Sequence, residues 1–131
     1  MDLKLIELPR IDDNRGSLSV VEGGDTIPFA IKRVYYLYDV GPRSARGSHA
    51  HRSLRQLFIA MSGSFEITLH TGVEGLSYTL NDPSQGLLVP EMTWRSLGNF
   101  SSGAVCCVLA SDHYSESDYI RDFDEFLKSS S

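Results

Sequence analysis

Short runs in which apolar and polar side chains alternate are the dominant pattern of this 131-residue chain. In "SFEITLH", Phe65, Ile67 and Leu69 fall on one side while Ser64, Glu66, Thr68 and His70 fall on the other, the period of a half-buried strand. Comparable runs predict strands near "LKLIEL", "SLSVV", "FAIKRVYYLYDV", "LRQLFIAM", "LSYTL", "GLLVP" and "GAVCCVLA", bounded by Gly, Pro, Asn, Asp or Ser. Turn chemistry separates them at "EGGD", "VGPR", "SGS" and "NDPSQG". Near the end the period changes. In "SESDYIRDFDEFLK", Tyr119, Ile120, Phe123, Phe126 and Leu127 recur at helical spacing, which predicts a helix capped by Ser115 or Ser117. Many short strands and one helix predict an all-β fold, a small double-sheet barrel with a short C-terminal α-helix. Ligand sites in such barrels sit at the open mouth.

Composition narrows the picture. The length fits one domain over residues 1–131, with no repeat or linker to divide it. A formal charge of -5 argues against non-specific nucleic-acid binding, although a few local arginines can still hold a small anion. The opening "MDLKLIELPR" has no basic region followed by an apolar core, and no apolar run approaches the ~20 residues a membrane helix needs. The expectation is a soluble cytoplasmic protein. Cys106 and Cys107 are adjacent, so strand alternation points them to opposite faces as small buried residues, forming neither a disulfide framework nor a CxxC motif.

The candidate chemistry lies in "RGSHAHRSLRQ", Arg46 to Gln56. His49, His51, Gln56 and Gly63 follow the layout of the first motif of the cupin barrels, with Gln where Glu is usual. Pro90, Met92, Arg95 and Asn99 follow the second motif, with Arg in the histidine position. Both departures remove a metal ligand, and Arg95 adds a guanidinium that stays charged where the ion would sit. The pattern therefore predicts a cupin-like jelly-roll, or double-stranded β-helix, barrel without a metal or other cofactor. On an extended strand His49 and His51 would share a face about 6 to 7 Å apart, and imidazoles can move protons at pH 7. Arg33 and Tyr35 share strand parity. With Arg15, Arg46 and Arg95 they suit a pyrophosphate. Arg10, Arg43 and Arg121 read as solvated surface groups, His70 and His113 as surface or packing residues, and Trp94 as either core or a stacking surface.

Several stretches together, "DDNRGSLSVVE", "IPFAIKRVYYLYDV", "RGSHAHRSLRQLFIAMSGS" and "NFSSGAVCCVLASDHYSESDYIRDFDEF", resemble the sugar-nucleotide 3,4-ketoisomerases over nearly the whole chain. That resemblance implies a homodimer with exchanged N-terminal strands. It implies a substrate, dTDP-4-keto-6-deoxyglucose, whose ketone moves from C4 to C3 through an enediol(ate), and a product that feeds a 3-aminotransferase. It further implies His51 as the base at C3, His49 as a proton shuttle, and Arg15, Gly16, Ser17, Arg33, Tyr35, Arg46, Gln56, Trp94 and Arg95 as substrate-binding residues. Relatives often carry His where this chain has Arg95. The C4 configuration can be galacto or gluco, and galacto, under the influence of Asn14 to Ser17, is the expectation. A metal-dependent cupin enzyme, a 3,5-epimerase and a non-catalytic sugar-nucleotide binder are the competing readings.

Overall fold

The computed structural model describes residues 1–130; Ser131, the last residue of the expected domain, lies outside them. Two five-stranded antiparallel sheets carry the chain. The first runs in the order β1 (Lys4–Glu7), β9 (Gln85–Val89), β6 (Gln56–Ser62), β11 (Val105–Ala110), β4 (Arg33–Leu37). The second runs β12 (Tyr119–Ile120), β5 (Arg46–His51), β10 (Trp94–Gly98), β7 (Phe65–His70), β8 (Gly75–Leu80). A two-stranded hairpin of β2 (Arg10–Asp13) and β3 (Gly16–Ser19) pairs with neither. One short helix, α1 (Phe123–Ser129), closes the chain. This is the expected jelly roll.

The main core lies between the sheets, where Phe58, Val89 and Val108 of the first meet Phe65, Ile67, Leu69 and Leu97 of the second. The outer face of the first sheet is buried as well: Leu57, Ile59, Leu88, Cys107 and Leu109 are covered by Leu8, Ile27 and Phe29. That double burial explains why β6 reads as a continuous apolar run instead of an alternating one. Cys106 enters the central core and Cys107 the outer layer, so alternation sends both thiols into apolar surroundings. Burial pushes Cys106 up to about 12, so it is an unreactive thiol.

Four strands escaped the sequence pattern. β2, β5 and β10 carry Arg, Asp, Ser or His at positions where alternation needs apolar side chains, and β12, only Tyr119 and Ile120, is too short to show a period. The run "FAIKRVYYLYDV" is a strand only over Arg33–Leu37, because Phe29 turns away to cover the outer core layer. The helix is also shorter than predicted. Asp122 caps it, accepting from the Glu125 amide at 3.2 Å, whereas Ser115 precedes a single 3₁₀ turn, Glu116–Asp118, without a side-chain cap. Tyr119 and Ile120 pair with His51 and Ala50 as a strand. Their helical spacing with Phe123 is thus coincidental, and it masked residues that belong to the site.

Candidate active site

The histidines lie on β5 at the edge of a cavity of about 350 Å³. Gly47 shapes that strand. Its φ of 69° is left-handed, and the pairing register shifts there: Arg95 faces His49 and Leu97 faces Arg46, so three steps on β5 match two on β10. Such a bulge inserts one residue and resets side-chain parity. Arg46, three residues from His49 and otherwise destined for the opposite face, is thereby brought into the same cavity.

His49 Nε2 and His51 Nε2 are 3.1 Å apart, with their rings edge to face, and His51 Nδ1 is 3.0 Å from Asp118 Oδ2. Tyr119, delivered by β12, lies over both rings at centroid distances of 4.8 and 4.4 Å. His49 lines the cavity, whereas His51 is 1% exposed and lies behind it. Burial, reinforced by the Arg95 guanidinium, lowers both imidazoles to about 3, so both are neutral at pH 7. A neutral imidazole facing a cavity can accept a proton, and its hydrogen-bonded neighbour can pass one on.

Arg95 is the largest fully buried side chain. Its Nη1 donates to Gln56 Oε1 and its Nε donates to Thr93 O at 3.2 Å, while Nη2 is buried without a partner. Gln56 in turn donates from Nε2 to the Tyr35 hydroxyl at 2.8 Å, which leaves the tyrosine proton available to a ligand. Burial lowers Arg95 to about 10 and raises Tyr35, so one remains cationic and the other protonated at neutral pH. Arg33 lies over the Tyr35 ring at 5.2 Å, and its buried Nε also has no partner. Among the described residues, Arg33 Nε and Arg95 Nη2 are the only such side-chain atoms. Unmade bonds of this kind cost about 1–3 kcal/mol each and point to an acceptor that arrives with a ligand.

The structure brings together His49, His51, Arg33, Tyr35, Arg46, Gln56 and Arg95 from the sequence reading. The others lie elsewhere. Trp94 projects from β10 opposite Arg95 and packs on Phe123 and Phe126, so of its two readings the core one describes it. Arg15, Gly16 and Ser17 sit on the exposed hairpin, where Arg15 pairs with Asp13, and none lines this cavity. Arg121 is exposed, as expected of a surface group, but it also borders the site. It lines the cavity mouth, stacked on Tyr119 at 4.3 Å and held by Glu116 at 2.9 and 3.0 Å. Sequence reasoning missed Tyr119 and Asp118 because "SESDYI" was read as the start of the helix. Tyr119 opens a two-residue strand and Asp118 immediately precedes it, an arrangement too short to carry a periodic signal.

The residues do not fit a metal. Gln56 Oε1 is engaged by Arg95, whose cation occupies the remaining ligand position, and the two imidazole Nε2 atoms face each other. Among the described residues no group of three or more His, Cys, Asp or Glu could hold an ion.

Fold and site together define a jelly-roll protein with two neutral, hydrogen-bonded imidazoles beside a cavity lined by Arg33, Arg46, Arg95 and Arg121. The family model described as "FdtA: WxcM-like, C-terminal" matches residues 1–131. A curated TDP-4-oxo-6-deoxy-alpha-D-glucose-3,4-oxoisomerase from Aneurinibacillus thermoaerophilus is 44% identical over 128 residues, 98% of this chain and 92% of the relative. A crystal structure of a 3,4-ketoisomerase from Helicobacter canadensis is 49% identical, with a TM-score of 0.95 over 99% of this chain and 98% of the other. WlaRB, a TDP-quinovose 3,4-ketoisomerase from Campylobacter jejuni, is 47% identical, with a TM-score of 0.94 over 97% and 98%. This chain belongs to the FdtA-like family of sugar-nucleotide 3,4-ketoisomerases.

Proposed function

We propose that the chain moves the ketone of dTDP-4-keto-6-deoxyglucose from C4 to C3 by acid–base catalysis without a metal. The observation that carries this is the neutral His49 on the cavity wall with a second neutral imidazole 3.1 Å behind it. The sequence reading gave His51 the base role. Because His51 is buried behind His49, we assign the roles the other way round: His49 removes the C3 proton, and His51 relays protons. The C3–H electron pair forms the C3–C4 double bond, and the carbonyl pair moves onto O4. The guanidinium of Arg95, the Tyr35 hydroxyl and the nearby Arg33 favour that enediolate electrostatically. O4 then takes up a proton, O3 loses one and becomes the ketone, and C4 is reprotonated. Arg33, Arg46 and Arg121 at the mouth suit the pyrophosphate.

The same reading includes a homodimer, a single functional domain and a cytoplasmic setting. The exchange would involve the β2–β3 hairpin, since β1 pairs with this chain's own β9 while Ile11 and Leu18 of the hairpin are left exposed. A hairpin contributed across a dimer would also carry Arg15, Gly16 and Ser17 to the partner's site. Among the described residues no helix is long and apolar enough to cross a membrane.

The test is incubation with dTDP-4-keto-6-deoxyglucose in deuterium oxide, followed by NMR and coupling to a 3-aminotransferase. The expected product is a 3-keto sugar carrying solvent deuterium at carbon. A parallel incubation in ordinary water keeps the hydrogen at C4, and its H4–H5 coupling reads the configuration: small for the expected galacto sugar, large for the gluco configuration that quinovose has. Absence of turnover, or activity that follows a stoichiometric transition metal, would sink the proposal.

A further inference from the structure

The carboxylate of Asp118 makes three contacts that together specify the protonation pattern of the site. Oδ1 accepts from the Ser53 amide at 2.8 Å. Oδ2 accepts from the Leu54 amide at 3.3 Å and lies 3.0 Å from His51 Nδ1. A carboxylate fixed by two backbone amides can only accept, so His51 must carry its proton on Nδ1. In a neutral imidazole the other nitrogen is then a lone pair. His51 Nε2 is therefore an acceptor, and His49 Nε2, 3.1 Å away, must be the donor. The remaining nitrogen, His49 Nδ1, is left basic. It makes no hydrogen bond within the described chain and is absent from its two buried unpartnered atoms, so solvent or ligand reaches it.

We propose that Asp118 is a positioning residue that sets the tautomers of both histidines and so presents His49 Nδ1 as the basic nitrogen of the cavity. The destination of the proton rests on the ketoisomerase reading; the tautomer pattern does not. In that reading the C3 proton bonds to His49 Nδ1, the His49 Nε2 proton passes to His51 Nε2, and the cationic His51 is stabilised by Asp118. Reversing the relay returns a proton to carbon with no net change in the enzyme.

Asp118→Asn tests this. The amide keeps its oxygen on the shorter bond, to Ser53, and so turns its NH₂ toward His51 Nδ1. His51 must then accept there and move its proton to Nε2, facing the His49 N–H. Long-range ¹⁵N–¹H correlation of imidazole-labelled protein, without substrate, reads the pattern directly. At pH 7 the unmodified protein is expected to show His51 protonated on Nδ1 and His49 on Nε2. The variant is expected to show His51 protonated on Nε2, with kcat lower by about 10²–10⁴-fold and KM little changed.

A wild-type spectrum with His51 protonated on Nε2 overturns the proposal, whatever the variant does. So does a loss of kcat in Asp118→Asn with the tautomer unmoved, since a loop-bracing carboxylate would behave that way. The expected wild-type and variant spectra in a protein that fails to turn over dTDP-4-keto-6-deoxyglucose would uphold the positioning role and remove the ketoisomerase reading instead.

Discussion

The two faces of the second sheet are built from the same strands, one residue out of step. On β5, Ala50 points outward and His51 inward; on β10, Trp94 outward and Arg95 inward; on β12, Ile120 outward and Tyr119 inward. Burial does not distinguish the faces, since Ala50 at 0% and Ile120 at 1% exposed are matched by His51 and Arg95 at 1% each. What differs is satisfaction. The outer face closes on Phe126 of α1 through apolar contacts, whereas the inner face holds a guanidinium with an orphaned Nη2 and two imidazoles prevented from ionising. One face contributes stability, and the other retains unmet interactions that a ligand can meet.

The largest effect that should separate them comes from a pair of truncations. His49→Ala is expected to lower kcat by about 10²–10⁴-fold, because it removes a proton-transfer group, while leaving the melting temperature close to that of the parent. Phe126→Ala should cost about 3–5 kcal/mol of stability by opening a cavity under α1. Measured well below its melting temperature, that variant should keep kcat near the parent value. Steady-state kinetics and thermal melts on both proteins check this. A collapse of kcat in Phe126→Ala under folded conditions would show that the faces are coupled.

Acid should then find the inner face first. In the folded chain His49 and His51 are held down to about 3 by burial, then by Arg95, with His51, Arg33 and Arg121 adding to the effect. In the unfolded chain an imidazole titrates near ~6.5. Above that value neither state binds the proton and the pair contributes no pH dependence. Below it the unfolded chain takes up protons that the folded one refuses, so stability is lost as pH falls from about 6.5 toward about 3. The ceiling is ~1.4 kcal/mol per pH unit for each histidine. Denaturant melts between pH 7 and 5 should show this slope, and His49→Gln/His51→Gln should flatten it. An unchanged slope in the double variant would assign the acid lability elsewhere. The limb of kcat/KM that reports His49 should likewise lie well below pH 6.

The core strands were the legible part of the molecule. β6, β7, β9 and β11 announce themselves as apolar runs or alternations between turn residues, and Cys106 and Cys107 were assigned to opposite faces from adjacency alone. The site was legible in its residue types: Gln56 and Arg95 in place of two ligands pointed to proton chemistry, and Arg33 and Tyr35 were paired by parity. Arrangement was not legible. The depth of His51 depends on β12, a two-residue strand whose pairing no local pattern encodes. Arg121 is solvated as expected, and its place at the site depends on Tyr119, which supplies the surface on which it stacks. Arg15 belongs to a hairpin that meets neither sheet, so its proposed role needs a second copy of the chain, which no single-chain periodicity can announce.

The smallest effect concerns how the inner face receives Arg46. Gly47 is left-handed at 69°, and an added Cβ would meet only ordinary contacts, His49 Cε1 at 3.7 Å and Leu97 Cδ1 at 3.9 Å. Any cost of Gly47→Ala therefore comes from backbone conformation, about 1–2 kcal/mol for a side chain held in that region. The chain can accept that strain or remove it by straightening the bulge. Straightening would restore regular alternation and turn Arg46 out of the cavity while His49 stays paired with Arg95. Gly47→Ala is thus expected to lower the melting temperature modestly and to raise KM several-fold, with kcat largely preserved because His49 keeps its place. Gly98→Ala, on neighbouring β10 with open space around the added methyl and an ordinary φ, is the control and should change neither. Equal behaviour of the two variants would show that the bulge does not aim Arg46, and that the cationic mouth forms without it.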